Sequence, residues 1–198
     1  MFYINQQDYP HIPYRTNMQE PDSYDATKGT VHDAACGPCS MMIVAERLGT
    51  EGLTLSEALQ IAADSKSNME PGTDMDIYGP ACGDRLGLSM RKAGTEKELE
   101  DALRNGAAAI VNVSGDADGY TGVLSDEGHY VAVIAFTGKE FVVLDPAYRP
   151  GKYDIEVPNR AGKVRENGKI LYVLPQVLKE DTERRYPGYY IFERKSNV

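Results

Sequence analysis

Tryptophan is absent from the 198 residues, cysteine and histidine occur three times each, and basic residues are outnumbered 21 to 30 by acidic ones. No apolar run reaches the ~18 residues of a membrane-spanning helix, so no transmembrane segment is expected. The N-terminal stretch MFYINQQDYP carries neither the basic nor the apolar region of an export signal. An initiating Met1 therefore implies a cytoplasmic protein, although an exported chain whose leader had been removed would read the same. Three cysteines, two of them three apart, do not form the even-numbered framework of a small secreted domain and suit a reducing compartment. The net charge of −9, with Lys and Arg scattered rather than gathered in a stripe, opposes nucleic-acid binding and points to neutral or cationic partners.

What is present is enough apolar content, 41%, to bury one core, and the chain is expected to form a single domain over residues 1–198. Residues 1–35, rich in Tyr, Pro, Asp and Asn, read as an extended or looping arm. From Cys36 the apolar positions Met41, Met42, Val44, Ala45 and Leu48 recur at helical spacing until Gly49. Two capping-box patterns, Thr54-Leu55-Ser56-Glu57 and Thr95-Glu96-Lys97-Glu98, announce further helices reaching about Lys66 and Gly106. The stretch PGTDMDIYGPACGDRLGLS between them predicts a loop and a short helix. Beyond Gly106 come five short β-branched or aromatic segments at 107–113, 129–136, 140–146, 169–174 and 188–193, with Thr137-Gly138 and Asn167-Gly168 as turns. Helices first and an antiparallel sheet second make an α+β protein.

The chemistry begins at Cys36-Gly37-Pro38-Cys39. A thiol in the first turn of a helix sits at the positive end of the helix dipole, which favours the thiolate. The tetrapeptide is also the dithiol motif of thioredoxin-like redox proteins, but those need a buried strand running into it. Here the preceding residues DATKGTVHDAA are small and polar, the usual neighbouring tryptophan is missing, and most of the sheet follows the motif. Zinc would need a second Cys-x-x-Cys pair, and only Cys82 and one histidine are left to complete four ligands. No metal and no cofactor is expected.

A cysteine hydrolase needs an imidazole beside the thiolate, a group to orient that imidazole and a donor for the oxyanion. His11 and His32 lie in the loop-rich arm. His129 opens the apolar strand HYVAVIAF directly after Gly128, whose bare backbone leaves room for another chain or a ligand. Counted outward from the Thr137-Gly138 turn, Asp145 falls almost opposite His129, although an Asp before Pro146 also serves as a turn former.

The order of Asn5-Gln6-Gln7-Asp8, then GTVHDAACGPCSMMIV, then GHYVAVIAF and VVLDPA resembles the C39-like family of papain-fold cysteine peptidases along nearly the whole chain. The resemblance implies a papain-like fold, with N-terminal helices packed on a C-terminal antiparallel sheet. It implies Cys36 as nucleophile, His129 as base, Asp145 as third member and Gln6 as oxyanion donor, with Gln7 leaving the register open by one. Where the family carries a small hydroxyl residue or Ala three positions after the nucleophile, this chain has Cys39. That thiol is either a small buried helix residue or a disulfide partner of Cys36; Cys82 has the same buried reading. The implied activity is cleavage of a peptide or amide bond in a peptide or protein substrate, with acyl transfer equally compatible. A catalytically silent papain-like domain that binds peptides or sugars is the alternative from another class. The acidic segment DADGYTGVLSDEG before His129 reads as a selector of cationic substrates or as a solvated flexible loop.

Overall fold

The computed structural model describes residues 1–14, 29–50, 52–69, 72–154 and 160–195. A 3-10 turn at Gln6–Asp8 is followed by α1 (Val31–Ala34), α2 (Cys36–Arg47) and α3 (Leu55–Asp64). Then come the small hairpin β1 (Asn68–Met69) and β2 (Gly72–Thr73), α4 (Met75–Leu86), β3 (Leu88–Ala93) and α5 (Glu96–Arg104). The second half contains β4 (Ala108–Val113), β5 (His129–Phe136), β6 (Phe141–Leu144), β7 (Val164–Asn167), β8 (Ile170–Val173), α6 (Pro175–Thr182) and β9 (Tyr189–Arg194). Seven strands form one antiparallel sheet in the order β3-β9-β4-β5-β6-β8-β7, the α+β architecture expected from the sequence. No helix among the described residues is long and apolar enough to cross a membrane.

Side-chain alternation along the strands divides the core between the two faces of the sheet. Ala132 and Ile134 of β5 join Met41, Ile43 and Val44 of α2, with residues of α3 and α4, on one face. Val131 and Val133 join Leu99 and Leu103 of α5 and Leu178 of α6 on the other. The sheet is thus covered on both sides, by α2, α3 and α4 on one face and by α5 and α6 on the other.

The capping boxes of α3 and α5 are formed as the sequence predicts, each with a reciprocal Thr–Glu pair. Helix α2 has no side-chain cap. Such a cap contributes about 1 kcal/mol, whereas burying each of Met41, Ile43 and Val44 contributes roughly 1.5–3 kcal/mol, so packing decides where α2 lies. An uncapped N-terminus with no acidic residue in its first turn also leaves N–H groups open at Cys36.

Two expectations are corrected. Residues 75–86 form a full twelve-residue helix rather than a short one, capped by Asp74 and ended by Gly87 in the left-handed conformation. Its interior Gly79, Pro80 and Gly83 disguise it, yet the glycines bring α4 against the sheet: a Cβ on Gly83 would lie 2.8 Å from the Leu88 carbonyl, and one on Gly79 would overlap the Met90 sulfur. The N-terminal arm holds short regular elements, the 3-10 turn and α1; residues 15–28 lie outside the described residues.

Candidate active site

Cys36 is the first residue of α2 and lines a cleft of about 500 Å3 together with Gln6, Asp33, Asp74, Asn112, Gly128, His129 and Arg185. Ser40, one turn further along α2, donates to the Tyr130 carbonyl (3.2 Å), which ties the helix to β5 beside His129. The thiol shares the cleft with the His129 ring, and that ring and the backbone N–H groups of Tyr130 and Gly37 set its electrostatic surroundings. Burial would push this thiol up, but the hydrogen bond and charge of His129, with the two backbone donors, bring its pKa below the usual thiol value.

His129, 8% exposed, opens β5 and shares a 2.7 Å hydrogen bond between Nε2 and Asp145 Oδ1, which leaves Nδ1 for the thiol. Burial disfavours its charge, but the Asp145 carboxylate and the hydrogen bond to Cys36 prevail and raise the imidazole well above its ordinary value. Asp145 is completely buried and holds four donors. Oδ1 accepts from His129 and from the Ala147 N–H (2.8 Å), while Oδ2 accepts from Lys152 Nζ (2.6 Å) and Tyr153 Oη (2.7 Å). Burial alone would raise its pKa; His129 and Lys152 drive it far below the carboxylate range.

Gln6 reaches the cleft because the N-terminal arm is stitched to the segment after β6. The Gln6 N–H donates to the Pro146 carbonyl (2.7 Å), Asn5 Nδ2 to the Tyr148 carbonyl (2.7 Å) and Tyr3 Oη to the Asp145 carbonyl (2.8 Å). The Gln6 side chain, 5% exposed, donates from Nε2 to the His32 carbonyl (2.7 Å), and its buried Oε1 has no hydrogen-bond partner among the described residues. Gln6 lines the cleft and Gln7 is not among its lining residues. All four sequence-selected residues, Cys36, His129, Asp145 and Gln6, are therefore brought together.

Lys152, Tyr153 and Arg185 were invisible to sequence reasoning, because no periodicity or motif marks them. The space left by Gly128 is taken by Arg185: a Cβ there would collide with the guanidinium. Cys39 is fully buried, and burial and the neighbouring Cys36 push its thiol up; burial pushes Cys82 up to about 12. All three cysteines are free thiols, so Cys39 sits as a buried helix residue. No cluster of three or more His, Cys, Asp or Glu suited to a metal ion occurs among the described residues.

The acidic segment before His129 is pinned rather than freely solvated. Val123 and Leu124 donate their N–H groups to Asp181 (2.8 and 2.7 Å), Tyr120 Oη bonds the same carboxylate, and Arg160 donates from Nε to the Gly122 carbonyl (2.8 Å) and pairs with Asp126.

With this geometry in place, the comparison with solved structures is informative. A Bacillus anthracis protein described as a C39-like peptidase superposes with a TM-score of 0.52 at 9% identity, covering 92% of this chain and 94% of that one. The fold is that of the papain-like C39 peptidases. The peptidase domain of Streptococcus ComA, a bifunctional ABC transporter involved in quorum sensing, aligns at 17% identity with a TM-score of 0.47, covering 92% of this chain and 96% of that domain. No protein-family model and no curated protein matches the sequence.

Proposed function

We propose that the protein is a thiol hydrolase that cleaves a peptide or amide bond, with Cys36 as nucleophile, His129 as general base and acid, Asp145 as the group that holds the imidazole, and Gln6 as oxyanion donor. The observation that carries this reading is the convergence of the Cys36 thiol and the His129 ring in one cleft, the ring hydrogen-bonded to Asp145 and each of thiol and ring displacing the other's pKa.

Cys36 and His129 share one proton, and the lowered thiol and raised imidazole favour its residence on the ring, giving a thiolate–imidazolium pair. The thiolate attacks the carbonyl carbon and forms an S–C bond, and charge collects on the carbonyl oxygen. One Nε2 proton of Gln6 is committed to the His32 carbonyl; the other, with the backbone N–H of Cys36, serves that oxygen. Each such donor supplies about 3 kcal/mol to the transition state. Collapse of the intermediate breaks the C–N bond as His129 delivers its proton to the leaving amine. Water, deprotonated by His129, then releases the acid and regenerates the thiol. An amine or thiol acceptor in place of water would make the same steps an acyl transfer.

Digestion of a mixed synthetic peptide library, read by mass spectrometry, tests this. Wild type is expected to release new termini and Cys36→Ala to release none. Equal products from both proteins would refute it, as would an inert wild type whose Cys36 also fails to react with iodoacetamide near pH 6.

A further inference from the structure

Among the described residues lining the cleft, one cation is left idle by the hydrolytic steps. Arg185 follows α6 and is held at its backbone, where its N–H donates to the Thr182 carbonyl (2.8 Å), while its neighbour Arg184 lies over the Tyr120 ring at 4.7 Å. The half-buried guanidinium packs on the bare Cα of Gly128, beside His129, and among the described residues it makes no hydrogen bond and no ion pair. Gly128 does not have a left-handed φ, so its lack of a side chain answers a need for space, and Arg185 fills that space.

The acidic groups around the cleft are disposed differently. The Asp33 carboxylate accepts from Thr30 Oγ1 (2.6 Å) and lies 2.9 Å from His32 Nδ1, and Asp74 is spent on the Asp76 N–H at the start of α4 (2.9 Å). Among the described residues Glu127 makes no side-chain hydrogen bond, and it is exposed, where solvent and salt screen it. Among the described residues Arg185 is thus the lining cation left without a hydrogen-bond or ion-pair partner, a planar fork of donors whose geometry matches a carboxylate.

We propose that Arg185 anchors a substrate carboxylate, so that the cleft takes peptides carrying an acidic side chain or a free C-terminal carboxylate beside the bond that Cys36 attacks. The inference rests on the reading of Cys36 as the reactive thiol of the cleft. It runs against the expectation of a cationic substrate drawn from the acidic segment, whose Asp116 and Asp126 face Arg160 instead.

Two alkylating agents of nearly equal size, iodoacetate and iodoacetamide, differ in the carboxylate alone and probe the anchor without a known substrate. The ratio of their rates at Cys36 is expected to fall about tenfold in Arg185→Met and to hold within about threefold in Arg185→Lys, as befits loss or retention of a charge-assisted contact. An unchanged ratio in Arg185→Met overturns the proposal. In parallel, the Arg185 Nε–H resonance is titrated with N-acetylglutamate α-amide, N-acetylglutamine, N-acetylglutamine amide and N-acetyllysine amide. A response to the first alone assigns a side-chain carboxylate, and a response to the second alone a terminal one. Equal responses to the uncharged amide, or a stronger response to the lysine derivative, overturn the proposal. If Cys36 resists both reagents, the nucleophile reading fails by itself, and the titration still decides the anion site.

Discussion

Two aspartates of this protein, Asp145 and Asp181, are both completely buried, and their carboxyl groups are displaced in opposite directions. Asp145 follows β6 and meets two cationic partners, the raised imidazole of His129 and the ammonium of Lys152, together with Tyr153. Asp181, in α6, meets neutral donors, the N–H groups of Val123 and Leu124 and the Tyr120 hydroxyl, with Arg160 contributing only at longer range. Burial raises both; only Asp145 has the opposing charge to overcome it. Equal burial therefore yields an ionised partner for an imidazole in one place and a strut for a loop in the other. Surroundings, not depth, separate the candidate site from the scaffold.

The largest separation is expected between Asp145→Asn and Asp181→Ala. Neutralising Asp145 removes the acceptor that fixes the His129 tautomer, and peptide hydrolysis should fall roughly 10³- to 10⁴-fold. Replacing Asp181 strands the Val123, Leu124 and Tyr120 donors, and denaturant unfolding should show a loss of about 3–5 kcal/mol. The protein that remains folded should still alkylate at Cys36 near pH 6. Comparable loss of hydrolysis in both variants at full folding would erase the distinction.

Gln6→Ala comes next, with hydrolysis reduced about a hundredfold and iodoacetamide labelling of Cys36 retained, because an oxyanion donor acts on the intermediate and not on the thiolate. A defect in Gln7→Ala in its place would move the donor by one residue. Lys152→Met is expected to cost about tenfold in turnover; loss of a cation near the imidazolium favours its charged form, so the alkaline limb of the pH–rate profile moves upward. A purely structural Lys152 would lower stability without moving that limb.

The smallest effect is one of sign. Lowering the native pKa of Asp145 contributes stability that is present above the unfolded carboxylate pKa and lost as pH falls toward the native value. Raising that of Asp181 does the reverse: just above the unfolded value the native state binds the extra proton, and stability declines as pH rises. Asp145→Asn should accordingly flatten the rise of stability with pH in the acid range, and Asp181→Asn should steepen it. Slopes that change in the same direction would break the comparison.

The candidate site is legible in the sequence where local pattern carries it. The helix starting at Cys36, the capping boxes at Thr54 and Thr95, and the strand opened by His129 all follow from spacing and end signals. The pairing of His129 with Asp145 was read from the hairpin turn, but its register differs. The hairpin closes later than Thr137-Gly138, with Phe136 facing Phe141; a bulge between Val133 and Ala135 recovers one residue of that offset, Leu144 faces Ala132, and the ladder's continuation sets Asp145 beside Val131 rather than opposite His129. The two side chains meet diagonally. Helix α4 was hidden because Gly79, Pro80 and Gly83 oppose helix propensity while tertiary packing on Leu88 and Met90 rewards it. Strands β3 and β7 carry edge charges that break the alternation, and Lys152, Tyr153 and Arg185 reach the site through long-range contacts that no local pattern encodes.

The most direct measurement is the rate of iodoacetamide alkylation of each cysteine from about pH 5 to pH 10, in wild type and in His129→Ala, with the labelled residue located by peptide mapping. A thiolate–imidazolium pair predicts that wild-type Cys36 reacts well below the ordinary thiol range of about 8.5. Its profile should change again near 9, where His129 loses its proton, while buried Cys39 and Cys82 stay unlabelled. In His129→Ala the low-pH reactivity should vanish. A wild-type Cys36 that titrates as a single ordinary thiol, with a profile unaltered by His129→Ala, would contradict the coupling of thiol and imidazole on which the proposed hydrolysis depends.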